Sequence, residues 1–243
     1  MKKRTTHIPL EERIIFALDV PTSEEAMAWV KRLGNKIKFY KVGLQLFLSG
    51  GFEIVDWIID QGFRLMLDLK FFDVPQTIGL AVAQLRDHKI TFATVHGNRP
   101  ILKAANEAKG DIKLLAVTVL TSIGDGETEE PGQEKTVKEL VLFRGRHALE
   151  LGCDGIICSG LEVADLRDEL GKDFIIVTPG IRPSKGSKFR EDDQKRITTA
   201  RQAIASGADY LVVGRPISRS DYPELVVEDL QKEISDALNE LEG

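Results

Sequence analysis

The sequence predicts an α/β protein, a (βα)8 TIM barrel with a parallel eight-stranded barrel, taken as a single domain over residues 1–243. Three observations predict it. Eight short β-rich runs alternate with helical patterns along the 243 residues. The runs are continuously apolar rather than alternating, the pattern of parallel strands covered by helices. Nearly every run also ends in a polar or charged residue, as expected where the C-terminal rim of a barrel carries chemistry. A doubly wound open sheet is the competing reading. It usually has fewer strands for this length, and no Gly-rich dinucleotide fingerprint follows the first run.

The first run, 13–20 (RIIFALDV), ends at Asp19 and leads into a helical stretch at 23–34 that opens on Ser23 and closes on Gly34. The second, 39–44 (FYKVGL), carries Lys41, with a helix expected at 49–62. The third, 64–70 (RLMLDLK), carries Asp68 and Lys70. The fourth, 91–96 (TFATVH), ends at His96, and the fifth, 113–120 (KLLAVTVL), at Thr121 before a helix at 136–152. The sixth, 155–160 (GIICSG), contains Ser159 and precedes a helix at 161–171. The seventh, 174–180 (FIIVTPG), ends in a TPG turn, and the eighth, 210–215 (YLVVGR), at Gly214 and Arg215. A last helix is expected after Pro223. Ser or Thr with a nearby Glu at the starts, and Gly at the ends, are the helix signals used.

Two connections are long for a compact domain, and such loops are usually functional lids or disordered segments. The fifth, 121–135, is acidic and Gly-rich. The seventh, 181–196, carries Arg182, Lys185, Lys188 and Arg190. Loops after strands 7 and 8 are where barrels commonly bind phosphate. The plainer alternative is a solvated run of charge.

The formal net charge is −5, so the overall field does not attract nucleic acid or an anionic membrane. The N-terminus, MKKRTTHIPLEER, has no apolar stretch of the signal-peptide kind. No apolar run approaches the roughly 18 residues that span a bilayer. Cys153 and Cys158 match no zinc or redox spacing and read as reduced structural thiols of a cytoplasmic protein.

The run 68–77 (DLKFFDVPQT) is unusual, because Asp68, Lys70 and Asp73 are residues that a core strand normally excludes. Asp68 and Lys70 are two apart on a strand and so share one face, which at a barrel strand end is the mouth. A buried salt bridge is the structural alternative for this pair, and such pairs are weak devices for stability. For Asp73 the alternative is an N-cap of the next helix, ahead of Pro75. Lys41 brings a second ammonium to the same mouth. Other chemistries fare worse. There is no H-E-x-x-H, no paired His/Cys ligand set, no P-loop and no G-x-S-x-G elbow. Asp68 and Asp73 could face a divalent ion, but Lys70 between them competes. Among the histidines only His96 ends a strand, where a satisfied core residue is the plainer reading.

These residues carry a family resemblance. The D-x-K-x-x-D of Asp68, Lys70 and Asp73, followed by VPQT to Thr77, resembles the signature of the orotidine 5′-phosphate decarboxylases. So do 16–20 (FALDV), 40–47 (YKVGLQLF), 115–122 (LAVTVLTS), 178–183 (TPGIRP), 193–196 (DQKR) and 213–217 (VGRPI). The blocks keep the family's order from about residue 14 to 217, and together they are highly specific. The resemblance implies a homodimeric barrel of pyrimidine biosynthesis that releases CO2 from orotidine 5′-phosphate to give UMP, with no metal and no organic cofactor. It implies Lys70 as proton donor and Asp68 as the carboxylate facing the substrate's own. It implies that Asp73 and Thr77 enter the partner subunit's site, that Asp19 and Lys41 bind ribose hydroxyls, and that Thr121 contacts the pyrimidine. Arg182, Gln194, Gly214 and Arg215 match the phosphate grip, whose engagement can close the 182–196 loop. Relatives that share D-x-K-x-x-D, the metal-dependent hexulose-phosphate synthases and ketogulonate-phosphate decarboxylases, typically place a metal-binding Glu where Lys41 stands. A non-catalytic nucleotide-binding barrel is the reading of a different class, and the complete charged array argues against it. Two departures, GNRPIL after His96 and ITTA after Arg196, replace a Gly-Gly pair and a Thr-Pro pair often found there, and put the local loop and helix-start geometry in question.

Overall fold

The protein was studied as a computed structural model, which describes residues 8–123, 136–184 and 196–242. A helical turn, α1 (Leu10–Arg13), leads into β1 (Ile14–Ala17), α2 (Ser23–Leu33), β2 (Phe39–Gly43), α3 (Leu44–Asp60), β3 (Arg64–Phe71), α4 (Pro75–Gln84) and β4 (Phe92–Val95). There follow α5 (Arg99–Ala108), β5 (Lys113–Val117), α6 (Val137–Glu150), β6 (Gly155–Ile157), α7 (Val163–Leu170) and β7 (Ile175–Thr178). The chain ends with α8 (Ala200–Ala205), β8 (Tyr210–Val213), α9 (Arg215–Ser218) and α10 (Pro223–Glu242). The eight parallel strands close in sequence order, and Ile15 of β1 lies opposite Phe39 of β2 on one side and Val212 of β8 on the other.

The continuous apolar runs have a direct structural cause. Successive side chains point to opposite faces of a strand, and here both faces are buried. Ile14, Phe16, Tyr40, Val42, Leu65 and Leu67 pack outward against the helices. Ile15, Phe39, Met66, Phe92, Leu115 and Tyr210 fill the barrel. At the N-terminal end the Arg64 guanidinium lies 4.7 Å from the Phe39 ring centre and pairs with Glu12. That end is filled, which leaves the C-terminal mouth for a cavity.

Several elements differ from the sequence expectation. The helix expected at 49–62 begins at Leu44, directly after β2, and breaks at Gly51, whose φ of 54° is one that glycine readily adopts. The helix expected at 161–171 begins at Val163, after a turn closed by the Ser159 N–H donating to Glu162 Oε2. Asp73 does not cap α4. Pro75 is the first helical residue and Val74 is the cap, extended at φ −58° and ψ 147°, because a residue before proline is held out of the helical region. Both departures from the family pattern form ordinary helix starts. Asn98 caps α5, its side chain accepting from Ile101 N, and Thr199 caps α8 in a reciprocal box with Gln202.

Candidate active site

The C-terminal mouth holds a cavity of about 380 Å3. Asp19, Lys41, Asp68, Lys70, Thr121, Arg182, Gly214 and Arg215 all line it. Asp19 follows β1, Lys41 lies within β2 rather than at its end, and Asp68 and Lys70 belong to β3. The four charges form an alternating chain. Lys41 Nζ is 3.0 Å from Asp19 Oδ1 and 3.4 Å from Asp68 Oδ2, and Lys70 Nζ is 2.9 Å from Asp68 Oδ1. The inner pair, Lys41 and Asp68, is nearly covered, whereas Asp19 and Lys70 reach solvent. A side chain on Gly43 would bring a Cβ to 3.2 Å from Lys41 Nζ, so glycine there leaves room for the array.

Burial alone would raise the Asp68 carboxyl. The Lys41 and Lys70 ammoniums, with hydrogen bonds from Lys70 and Thr94, instead hold it below the ordinary carboxylate range. Burial alone would lower the Lys41 ammonium, and the Asp68 and Asp19 carboxylates hold it above its ordinary value. Each inner charge is thus kept ionised by its opposite neighbours.

Asp68 and Lys70 meet, but not by simple alternation along a strand. Lys70 has φ 49°, the one positive value outside glycine among the described residues. The register with β4 shifts at this point. Its ammonium returns to Asp68 through this turn. Asp73 and Thr77 stand apart from the cavity, exposed in the single chain. The Asp73 carboxylate accepts the Val74 N–H at 2.5 Å.

On the opposite wall, the two described ends of the seventh connection are laced together. Thr198 N donates to the Gly180 carbonyl, and Arg182 N to the Thr198 carbonyl. This holds Arg182 at the cavity beside Gly214 and Arg215, where β8 passes into α9. Gln194, Lys185, Lys188 and Arg190 lie outside the described residues, as does most of the acidic connection.

The match with known proteins accords with this geometry. A family model described as "Orotidine 5'-phosphate decarboxylase / HUMPS family" matches residues 12–230. The chain belongs to this family. An orotidine 5′-phosphate decarboxylase of Methylococcus capsulatus is 49% identical over 230 residues, covering 94% of each chain. One from Nitrobacter winogradskyi is 46% identical, covering 93% of this chain and 94% of its own. The crystal structure of orotidine 5′-phosphate decarboxylase from Lactobacillus acidophilus superposes with a TM-score of 0.78 at 35% identity, over 92% of this chain and 99% of that one.

Sequence reasoning missed three residues around this family site. Thr94, fully buried on β4, accepts a hydrogen bond from Lys70 N at 2.9 Å and donates to Asp68 Oδ1 at 3.0 Å. Arg196 and Glu162 form a buried ion pair at 2.6 Å behind the cavity wall. Arg196 Nη2 donates to the Val119 and Leu120 carbonyls, and its backbone N–H to that of Thr121. The only sequence signal was for Thr94, a polar residue inside an apolar run; nothing local marked Glu162 or Arg196. His96 behaves as a satisfied, half-buried residue, its Nδ1 2.9 Å from the Val117 carbonyl. Both cysteines are buried and free, and burial pushes both thiols up. No helix among the described residues is long and apolar enough to cross a membrane.

Proposed function

We propose that this chain decarboxylates orotidine 5′-phosphate to UMP in pyrimidine biosynthesis, with Lys70 as the proton donor and no metal or organic cofactor. The single observation that carries the reading is the Asp19–Lys41–Asp68–Lys70 chain at the mouth of a barrel of this family.

The chemistry sets the requirement. Loss of CO2 from C6 of the pyrimidine leaves a lone pair in the ring plane, which the π system cannot delocalise. The site must stabilise localised negative charge and then deliver a proton to the same carbon. A fixed ammonium does both. In this reading the C6–carboxylate bond breaks, its electron pair stays on C6 beside Lys70 Nζ, and one ammonium proton passes to C6. CO2 and UMP leave, and solvent returns the proton to Lys70.

Asp68 would face the substrate carboxylate. Two like charges about 4 Å apart repel by roughly 4 kcal/mol at an effective dielectric near 20. Large enzymatic accelerations need about 8–23 kcal/mol. Repulsion is therefore the smaller share, and stabilisation by the preorganised Lys70 the larger. The aspartates hold the lysines charged and aimed.

The cavity suits a nucleotide monophosphate in its other parts. Asp19 and Lys41 offer an acceptor and a donor to ribose hydroxyls, and Thr121 a polar contact to the pyrimidine. Met66, Val117 and Ile157 supply apolar surface for a flat ring. Arg182, Arg215 and the backbone of Gly214 meet the phosphate; Gln194, which the family resemblance adds to this grip, lies outside the described residues. The exposed Asp73 and Thr77 belong to the partner's site in a homodimer. Supporting the dimer, Phe72, Val74 and Leu80 on the same segment are exposed, as are Leu44 and Leu48 on α3, an unusual amount of apolar surface to leave to water. Against the metal-dependent relatives stands Lys41, an ammonium where those carry a ligand carboxylate. The test is turnover of orotidine 5′-phosphate in excess chelator. Undiminished activity is expected, and activity that appears only on adding Mg2+ would assign the chain to the metal-dependent branch.

A further inference from the structure

Lys70 occupies an expensive backbone conformation with an unusual support. A left-handed φ brings the Cβ of an L-residue against the following carbonyl oxygen, so the conformation persists only where its surroundings enforce it. The strand pairing does not enforce it here. Leu67 lies opposite Ala93 and Phe71 opposite Val95, so β3 advances four residues while β4 advances two. Pairing resumes only where the His96 N–H donates to the Phe71 carbonyl. Within this bulge the Lys70 N–H is taken by a side chain instead of a strand, at 2.9 Å from Thr94 Oγ1.

The same hydroxyl donates to Asp68 Oδ1 at 3.0 Å, and that carboxylate oxygen also accepts from Lys70 Nζ at 2.9 Å. The bonds form a closed ring, running from Lys70 N to Thr94 Oγ1, on to Asp68 Oδ1, and back to Lys70 through its own ammonium. A hydroxyl has one proton to donate and lone pairs to accept, and Thr94 uses both within the ring. Thr94 is fully buried, so water does not replace it.

We propose that Thr94 is a positioning residue for the reaction: its hydroxyl locks the left-handed turn of Lys70 and the Asp68 carboxylate together, and so fixes where the Lys70 ammonium stands in the cavity. It touches no reacting atom. Bulges beside active sites re-aim side chains, and this one is pinned from the neighbouring strand. The role assigned to Lys70 is that of the proposed decarboxylase, and the inference rests on that reading for its consequence in rate.

The experiment compares Thr94→Val, which keeps shape but removes the hydroxyl, with Thr94→Ser, which keeps the hydroxyl. Turnover of orotidine 5′-phosphate by Thr94→Val should fall in kcat by about 100-fold, the effect of a misplacement near 1 Å. Its KM should stay within about threefold, because substrate contacts elsewhere are intact. Thr94→Ser should recover most of kcat. Wild-type kcat in Thr94→Val, or equal losses in both variants, would overturn the proposal. If Thr94→Val does not fold, Thr94→Cys, a poor donor and acceptor of similar size, carries the same comparison. Crystal structures of the folded variants supply a readout independent of turnover. The valine or cysteine variant should lose the positive φ at Lys70 or the Lys70–Asp68 contact, and the serine variant should keep both. Unchanged Lys70 geometry without the hydroxyl would refute the inference even if the wild-type protein proved inert toward orotidine 5′-phosphate, a result that would refute only the proposed function.

Discussion

The Lys41 ammonium lies 3.4 Å from the Asp68 carboxylate, with both side chains nearly withdrawn from solvent. Each holds the other ionised, and the two shifts define a pH window. Asp68 is held low, so its stabilising effect is complete above the unfolded carboxyl value near 3.9 and is lost as pH falls through the lower folded value. Lys41 is held high, so its effect is complete below about 10.4 and is lost as pH rises through its folded value. The unfolding free energy of the wild type minus that of Lys41→Met/Asp68→Asn should therefore be flat from about pH 5 to 9 and fall at both extremes. Urea unfolding across pH measures it, and a slope inside that window would contradict the assigned directions.

Lys70 is predicted to matter to chemistry rather than to binding. Lys70→Ala removes both the stabilising charge and the proton, effects worth about 10²–10³-fold and about 10²–10⁴-fold. The expected loss in kcat is about 10⁴-fold or more, while UMP affinity measured by calorimetry changes by less than about tenfold. A variant that loses binding as steeply as rate would place Lys70 among the binding groups instead.

The barrel was legible in the sequence because parallel strands buried on both faces leave unbroken apolar runs, and because Asp19, Asp68 and Arg215 stood out against them. The residues that shape the site were not. Thr94 in FATV reads as an ordinary β-former, and nothing local announces that Lys70 turns left-handed to meet it. Glu162 and Arg196 lie 34 residues apart, in a helix-like stretch and a loop end, and only the fold unites them. The cap role offered as the alternative for Asp73, because an Asp before a proline suits it, falls to Val74. Pro75 forces the residue immediately before it to be the cap, one position after Asp73.

Arg196 is predicted to be a structural post of the cavity wall. Burial raises the Glu162 carboxyl, with Arg196 pulling against it, so the pair is not a strong net source of stability. Its halves are nonetheless interdependent. Arg196→Met strands the Glu162 carboxylate and frees the Val119 and Leu120 carbonyls, at a cost of about 3–5 kcal/mol. Glu162→Gln leaves the Arg196 guanidinium buried without its counter-charge and one carbonyl oxygen for two donors, Arg196 Nη1 and Ser159 N, and should cost a similar amount. Adding Glu162→Gln to Arg196→Met should return part of the loss, since no charge is then left buried alone. Urea denaturation of the four proteins closes the cycle, and strict additivity would show that the two side chains are not coupled.

Asp73 provides the test of assembly. In a two-fold dimer the same patch of each subunit meets the other, so a hybrid of Lys70→Ala and Asp73→Asn subunits has one site with both defects and one with neither. Random exchange makes half of the dimers hybrids, and about a quarter of all sites should then be intact. Two preparations that are inactive alone should recover about 25% of wild-type activity when unfolded together and refolded. If Asp73 instead served its own subunit, every site in the mixture would carry one defect. The mixture would then stay inactive even where mass spectrometry detects hybrid dimers, and Asp73 would belong to the same chain's cavity after a rearrangement of the 72–77 segment.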